Sequence, residues 1–271
     1  MIYQTSNYLK YKNKIIDWCP SDLKDLFKKN CKKYSNNNSL TYYKENPIKY
    51  KFNNYGFRTN DEFNDTDEGN IFLGCSNTIG IGHHLKNTWS YKLNKQVGGK
   101  FWNLGIGGTG IDTAFRLLYG FKDFLKTKNI FHCVFNFHKF RYEIFEDSKN
   151  IVNVKAYDPA YQLAPIQIYK SFFNEPLLVV SKVLSYYSKS FITNILLNEN
   201  FTKFNYNKNI LAIESLAKQM NCNYYRINAS TIDGISLPIE KGKDIIEARD
   251  LVHLNTYQHN LIYENFLEKI G

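Results

Sequence analysis

From residue 71 onward, short apolar runs alternate with longer stretches in which apolar positions recur at helical spacing. Ile71-Phe72-Leu73 runs into Gly74, Phe101-Trp102-Asn103-Leu104 forms a second run, Ile130 to Phe135 a third, and Tyr224-Tyr225-Arg226-Ile227 a fourth. Runs this short, bounded by turn residues, predict strands buried in a sheet. Behind the second run, Ile111, Phe115, Leu118 and Leu125 fall on one helical face, with Asp112 in the first turn. Further helices are predicted over 210–220 and 256–269. This alternation predicts an α/β domain in which helices cover the faces of a mostly parallel sheet. Residues 158–205 interrupt it with aromatic, helix-like sequence and read as a helical insertion, a lid or an oligomer contact.

Upstream the pattern weakens. Residues 1–45 are polar, rich in Lys, Asn and Tyr, and read as an N-terminal extension to a domain spanning 46–271. Within the extension a short helix is expected at 21–27, with Ser21 as its cap. An extended segment around 50–58 leads into an acidic, turn-like stretch at 60–70, and no internal repeat is evident.

At 271 residues the chain is long enough for a substantial core in one main domain. Its net charge of +10 would suit nucleic acid or an acidic surface, but the lysines are scattered from end to end and no compact arginine-rich block appears. Nucleic acid is therefore not an expected partner. The five cysteines show no C-x-x-C spacing and read as reduced thiols of a cytoplasmic protein. No secretory signal is visible at the N-terminus, and no stretch approaches the ~20 apolar residues of a membrane span.

Most of the 15 glycines fall between Gly74 and Gly120, marking the strand ends on which a site would be built. Ser76 follows the first strand directly, in a turn where a hydroxyl can stand exposed beside backbone N–H groups; a plain turn serine is the alternative. Gly105-Ile106-Gly107-Gly108-Thr109-Gly110 matches the dinucleotide pattern G-x-G-x-x-G, yet the region after the next strand lacks the acidic residue that a ribose requires. A glycine loop supplying an oxyanion N–H accounts for the same residues, as does a tight turn. Asp250 and His253 are three residues apart, close enough for one turn to join carboxylate and imidazole, with a helix-capping aspartate as the alternative. His83, His84, His132 and His138 have no recognised metal-ligand spacing and read as solvated or core histidines. The aromatics of 157–191 suit a packed insertion core or an acyl or sugar pocket.

Taken in order, these segments resemble the SGNH (GDSL-type) hydrolase superfamily. Leu73 to Gly80 is similar to its first block, Asn103 to Gly110 to its second, and Asp250-Leu251-Val252-His253 to its last, with Asn54-Tyr55-Gly56-Phe57-Arg58 resembling the usual lead-in. The resemblance covers about 50–265 and implies a three-layer α/β/α sandwich with a central mostly parallel sheet, the flavodoxin-like SGNH hydrolase fold. It implies Ser76 as nucleophile, His253 as general base and Asp250 as its orienting carboxylate, with the N–H groups of Ser76 and Gly108 in the oxyanion hole. The chain departs from the family at Cys75, where Asp is usual, which leaves Cys75 a minor rival nucleophile. It departs again at 135–143, which lacks the family's Gly-x-Asn-Asp. Arg141, Asn136 and His138 are candidates for the missing oxyanion donor, Arg141 first.

The function so implied is a serine esterase, or acyl hydrolase, acting through an acyl-enzyme on a small-molecule or glycan ester such as an O-acetylated saccharide. No cofactor or metal is expected. The alternatives are an O-acyltransferase using the same residues, a catalytically degenerate binding protein, and, on the glycine pattern alone, a nucleotide binder. The sequence sets no oligomeric state.

Overall fold

The computed structural model describes residues 9–145, 151–155, 168–170, 198–235 and 245–271. An antiparallel ribbon pairs β1 (Ile15–Ile16) with β2 (Tyr50–Lys51), and between them lie α1 (Lys24–Lys33) and α2 (Asn38–Glu45). Next come β3 (Glu68–Leu73), α3 (Ser76–Ile79), α4 (Trp89–Val97), β4 (Lys100–Asn103), α5 (Ile111–Phe121) and β5 (Lys126–Val134). An antiparallel trio follows, β6 (Arg141–Phe145), β7 (Ile151–Lys155) and β8 (Ile168–Lys170). The chain then returns through α6 (Glu199–Gln219) and β9 (Asn223–Asn228) to α7 (Thr256–Ile270).

β4, β3, β5 and β9 lie side by side in that order, every pair parallel. Side chains alternate across a strand, so each strand feeds two cores. Ile71, Leu73, Trp102, Ile130 and Val134 join Ile111, Leu117, Leu118 and Phe121 of α5 and Ile213 of α6 on one face. Phe72, Phe101, Phe131 and Cys133 meet Trp89 and Leu93 of α4 and Ile262 and Phe266 of α7 on the other. Each such fully buried apolar side chain contributes roughly 1.5–3 kcal/mol. Helices on both faces follow from right-handed crossovers: the connection from β3 to β4 runs one way along the sheet, and those to β5 and β9 run the other. The direction reverses between β3 and β5, and in open parallel sheets the crevice beyond the strand ends at such a point is where ligands bind.

The expected α/β architecture and parallel sheet are therefore present. β5 starts at Lys126, ahead of its apolar run, because an asparagine ladder makes its polar end part of the sheet. Asn223 donates to Asn129 at 3.0 Å, Asn129 to Asn70 at 2.8 Å, and Asn70 to Asn94 at 2.9 Å. α6 starts at Glu199, not 210, since Asn198 caps it by accepting the Phe201 N–H. Of the insertion expected at 158–205, residues 168–170 form a strand and 199–205 begin α6; 156–167 and 171–197 lie outside the described residues.

Ser21 is not a helix cap. It has a left-handed backbone (φ 77°), and α1 begins after Leu23 without a side-chain cap. Within the described part of the segment read as an extension, Leu40 and Tyr43 are buried. Among the described residues no helix is long and apolar enough to cross a membrane.

Candidate active site

Ser76 is the first residue of α3, directly beyond β3 and partly exposed. The first N–H groups of a helix have no acceptor within it, and among the described residues that of Ser76 has none elsewhere. Among the described residues the one hydrogen-bond partner of its Oγ is Cys75 Sγ, at 4.0 Å. Cys75 itself is fully buried in the cluster of Phe72, Trp89 and Cys133, so its thiol does not share the access of the serine.

The glycine loop beyond β4 is held against α3 by Asn103, a buried amide with every bond engaged in positioning. Its Oδ1 accepts the Gly105 N–H at 3.0 Å, and its Nδ2 donates to the carbonyls of Arg58 at 3.2 Å and Thr78 at 3.3 Å. A Cβ on Gly105 would stand 2.8 Å from Ile79 N and 3.0 Å from Thr78 Cβ, so only glycine permits this approach. Ile106 N donates to Gly74 O at 3.2 Å, joining the loops beyond β3 and β4 directly. Among the described residues the Gly108 N–H donates to no acceptor.

Asp250 and His253 meet as their spacing predicted. His253 Nδ1 lies 2.5 Å from Asp250 Oδ2, and Asp250 Oδ1 accepts the backbone N–H groups of Val252 at 3.1 Å and His253 at 3.2 Å. Burial of Asp250 pushes its pKa up, but the hydrogen bond and charge of His253 and the two N–H groups outweigh it and hold the carboxyl below its usual value. Asp250 caps no helix; Asn255 caps α7, in a reciprocal box with Gln258.

Side chains from the N-terminal segment fix this loop in place. Arg249 and Asp22, each 1% exposed, pair at 2.6 Å, Arg249 also donates to Asp17 O at 2.6 Å, and its guanidinium stacks 3.8 Å over the Trp18 ring. Asn30 Nδ2 donates to Asp250 O at 3.3 Å. Two further bonds reach the serine segment: Arg249 N donates to Gly82 O at 2.9 Å, and His83 Nε2 lies 2.6 Å from Leu254 O. The other nitrogen of His83 faces Tyr43 Oη at 3.1 Å. Burial lowers the His83 pKa to about 4, so the ring is neutral, donating to Leu254 and accepting from Tyr43. Arg58, also buried, donates to the carbonyls of Ile79, Gly80 and His83 and thereby closes the turn behind Ser76.

The segment after β5 carries the other candidates. Asn136 is engaged elsewhere: its Oδ1 accepts from Asn228 Nδ2 at 2.9 Å, at the end of β9, and its N–H donates to Ser230 Oγ at 2.9 Å, just beyond it. His138 is buried, with Nδ1 accepting the Phe135 N–H at 3.4 Å. Arg141 reaches the glycine loop, Nη1 donating to Thr109 O at 3.1 Å.

The structure thus joins Asp250 to His253, and their loop to the segment of Ser76 and that segment to the glycine loop. It forms no hydrogen bond between Ser76 and His253. The sequence reading gave no role to Asp22, Tyr43 and Arg249; of its two alternatives for His83, solvated or core-satisfied, the second holds. Arg58, a further positioning residue, did carry a signal, lying in the lead-in segment. Among the described residues no group of three or more His, Cys, Asp or Glu side chains could hold a metal ion. No protein-family model matches this chain, and no curated protein gives a significant match to it.

Proposed function

We propose that this protein is a serine esterase of the SGNH type, with Ser76 as nucleophile, His253 as general base and Asp250 as its orienting carboxylate. The observation that carries the reading is the Asp250–His253 pair at 2.5 Å on a loop bonded directly to the segment bearing Ser76. Strand order, with the first sheet strand inside the second and third, supports the flavodoxin-like fold of that family. With Nδ1 bound to Asp250, the remaining nitrogen of His253 is Nε2, the one that takes the serine proton in a triad. Free enzymes often hold such groups apart until substrate closes the geometry, so an unformed Ser76–His253 bond is compatible with catalysis.

In the reaction, Ser76 Oγ attacks the ester carbonyl as its proton passes to His253 Nε2. The oxyanion is received by the N–H groups of Ser76 and Gly108, both without a described acceptor. Collapse expels the alcohol, which takes the proton from His253. Water, deprotonated by the same nitrogen, then attacks the acyl-serine, and its breakdown releases the acid and restores the Ser76 hydroxyl. An alcohol in place of water makes the same residues an acyltransferase. The substrate class is a carboxylic ester, including O-acetyl groups of saccharides, and the five unpaired thiols suit a reducing, cytoplasmic setting.

Intact mass after a fluorophosphonate probe tests the reading. One adduct on the wild type, retained in Cys75→Ala and lost in Ser76→Ala, is expected, with hydrolysis of aryl acetates falling at least ~10⁴-fold in Ser76→Ala. Absence of any adduct on a folded protein would favour a degenerate binding protein.

A further inference from the structure

Arg141 is a half-buried cation bonded to the glycine loop that carries Gly108. Its Nη1 donates to Thr109 O, one residue beyond Gly108, and its guanidinium lies 4.1 Å over the ring of Phe137, itself 39% exposed. The loop and the arginine are pressed together: a Cβ on Gly110 would stand 2.4 Å from Arg141 O and 2.8 Å from its Cβ. The position is thus fixed by backbone packing, a ring face and one hydrogen bond.

Among the described residues, however, no ion pair balances its charge. Arg116 and Arg249 face Glu143 and Asp22, and Arg58 faces three carbonyls. Among the described residues Arg141 pairs with no carboxylate. Two carboxylates of the adjoining elements β6 and α5 are committed: Glu143 to Arg116 and Thr113, and Asp112 to Asn205, Asn209 and the Glu143 N–H. Neighbouring His138 adds no charge, since burial and then the Arg141 cation hold it well below its usual pKa. A guanidinium presents a planar fork of donors matched to a carboxylate, and one Nη is already spent on anchoring the fork.

We propose that Arg141, with Phe137 as its platform, forms a subsite for a carboxylate on the substrate, so that the preferred ester is an anionic one, such as an acylated sugar acid or hydroxy acid. This rests on the esterase reading and narrows it. The arginine grips a group remote from the scissile bond, where it orients the ester over Ser76 while the backbone N–H groups receive the oxyanion.

The test uses meta- and para-acetoxybenzoate against the matching neutral acetoxybenzamides, on the wild type, Arg141→Gln and Ser76→Ala. The expected result is that Arg141→Gln lowers kcat/KM for the carboxylates by about 10- to 100-fold relative to the amides, mainly through KM, the size of a lost charged hydrogen bond. Arg141→Lys should restore part of the preference at low salt. Because the ratio is taken within one protein, partial misfolding of the variant cancels. Ser76-dependent turnover with an unchanged ratio, or an equal loss on both esters, overturns the subsite and leaves the esterase standing. No Ser76-dependent turnover of any of the four esters removes the esterase reading, and the subsite with it.

Discussion

The loop bearing Asp250 and His253 is held by side chains that arrive from far away in sequence, whereas the Ser76 segment and the glycine loop also meet backbone against backbone, braced by the side chains of Asn103 and Arg58. Asp22, Asn30, Tyr43 and His83 clamp the first through a buried ion pair and hydrogen bonds. Gly105 and Ile106 fix the second by close approach to Ile79 and Gly74. The difference matches what each part presents. A side-chain clamp on backbone carbonyls leaves an imidazole free to exchange a proton, and glycine packing leaves backbone N–H groups free to receive charge. The clamp depends on desolvated polar groups, which are costly when orphaned, so it should yield more sharply to single substitutions.

Asp22→Ala, which leaves the Arg249 guanidinium buried without its carboxylate, is the strongest way to break the clamp. It should lower stability by about 3–5 kcal/mol in urea unfolding and slow probe labelling of Ser76 in the fraction that stays folded. A loss under 1 kcal/mol would show that the two loops are held alike.

Acid attacks the same clamp through His83. The folded protein keeps this ring neutral to about pH 4, while the unfolded chain takes up a proton near the ordinary value of 6.5, so the unfolded state binds more protons between them. Stability is thus fully present above about pH 6.5 and declines as pH falls, by on the order of 3 kcal/mol at pH 4 from this group. Buried, neutral His132, His138 and His259 add to the decline in the same direction. Urea midpoints from pH 7 to pH 4 measure it, and a flat profile would remove His83 from the clamp.

Gly105→Ala probes the other side. The added methyl meets backbone on α3 and should cost about 1–3 kcal/mol, with a larger proportional fall in esterase rate than in stability because the Gly108 N–H moves with the loop.

What could be read in the sequence was local. The four sheet strands announced themselves as apolar runs, and Asp250 with His253 by a spacing that one turn closes. α2 and α4 were not predicted, although Asn37 and Thr88 cap them, because their apolar faces are short and interrupted. The clamp left no trace, since nothing in a polar stretch such as Ser21-Asp22-Leu23 reveals an arginine 227 positions onward. The sequence put Arg141 only slightly ahead of Asn136, and the direction of each side chain separated them, Asn136 toward Asn228 and Arg141 toward Thr109.

That separation of 227 positions has a meaning for synthesis. At roughly 5–20 residues per second, Arg249 leaves the ribosome about 10–45 s after Asp22. Until then Asp22 and Trp18 lack the guanidinium that joins them, and the proposed nucleophile is without its proposed base. Closure of the clamp is thereby deferred until Arg249 has emerged, and a chain halted before it would keep Asp22 without its ion-pair partner.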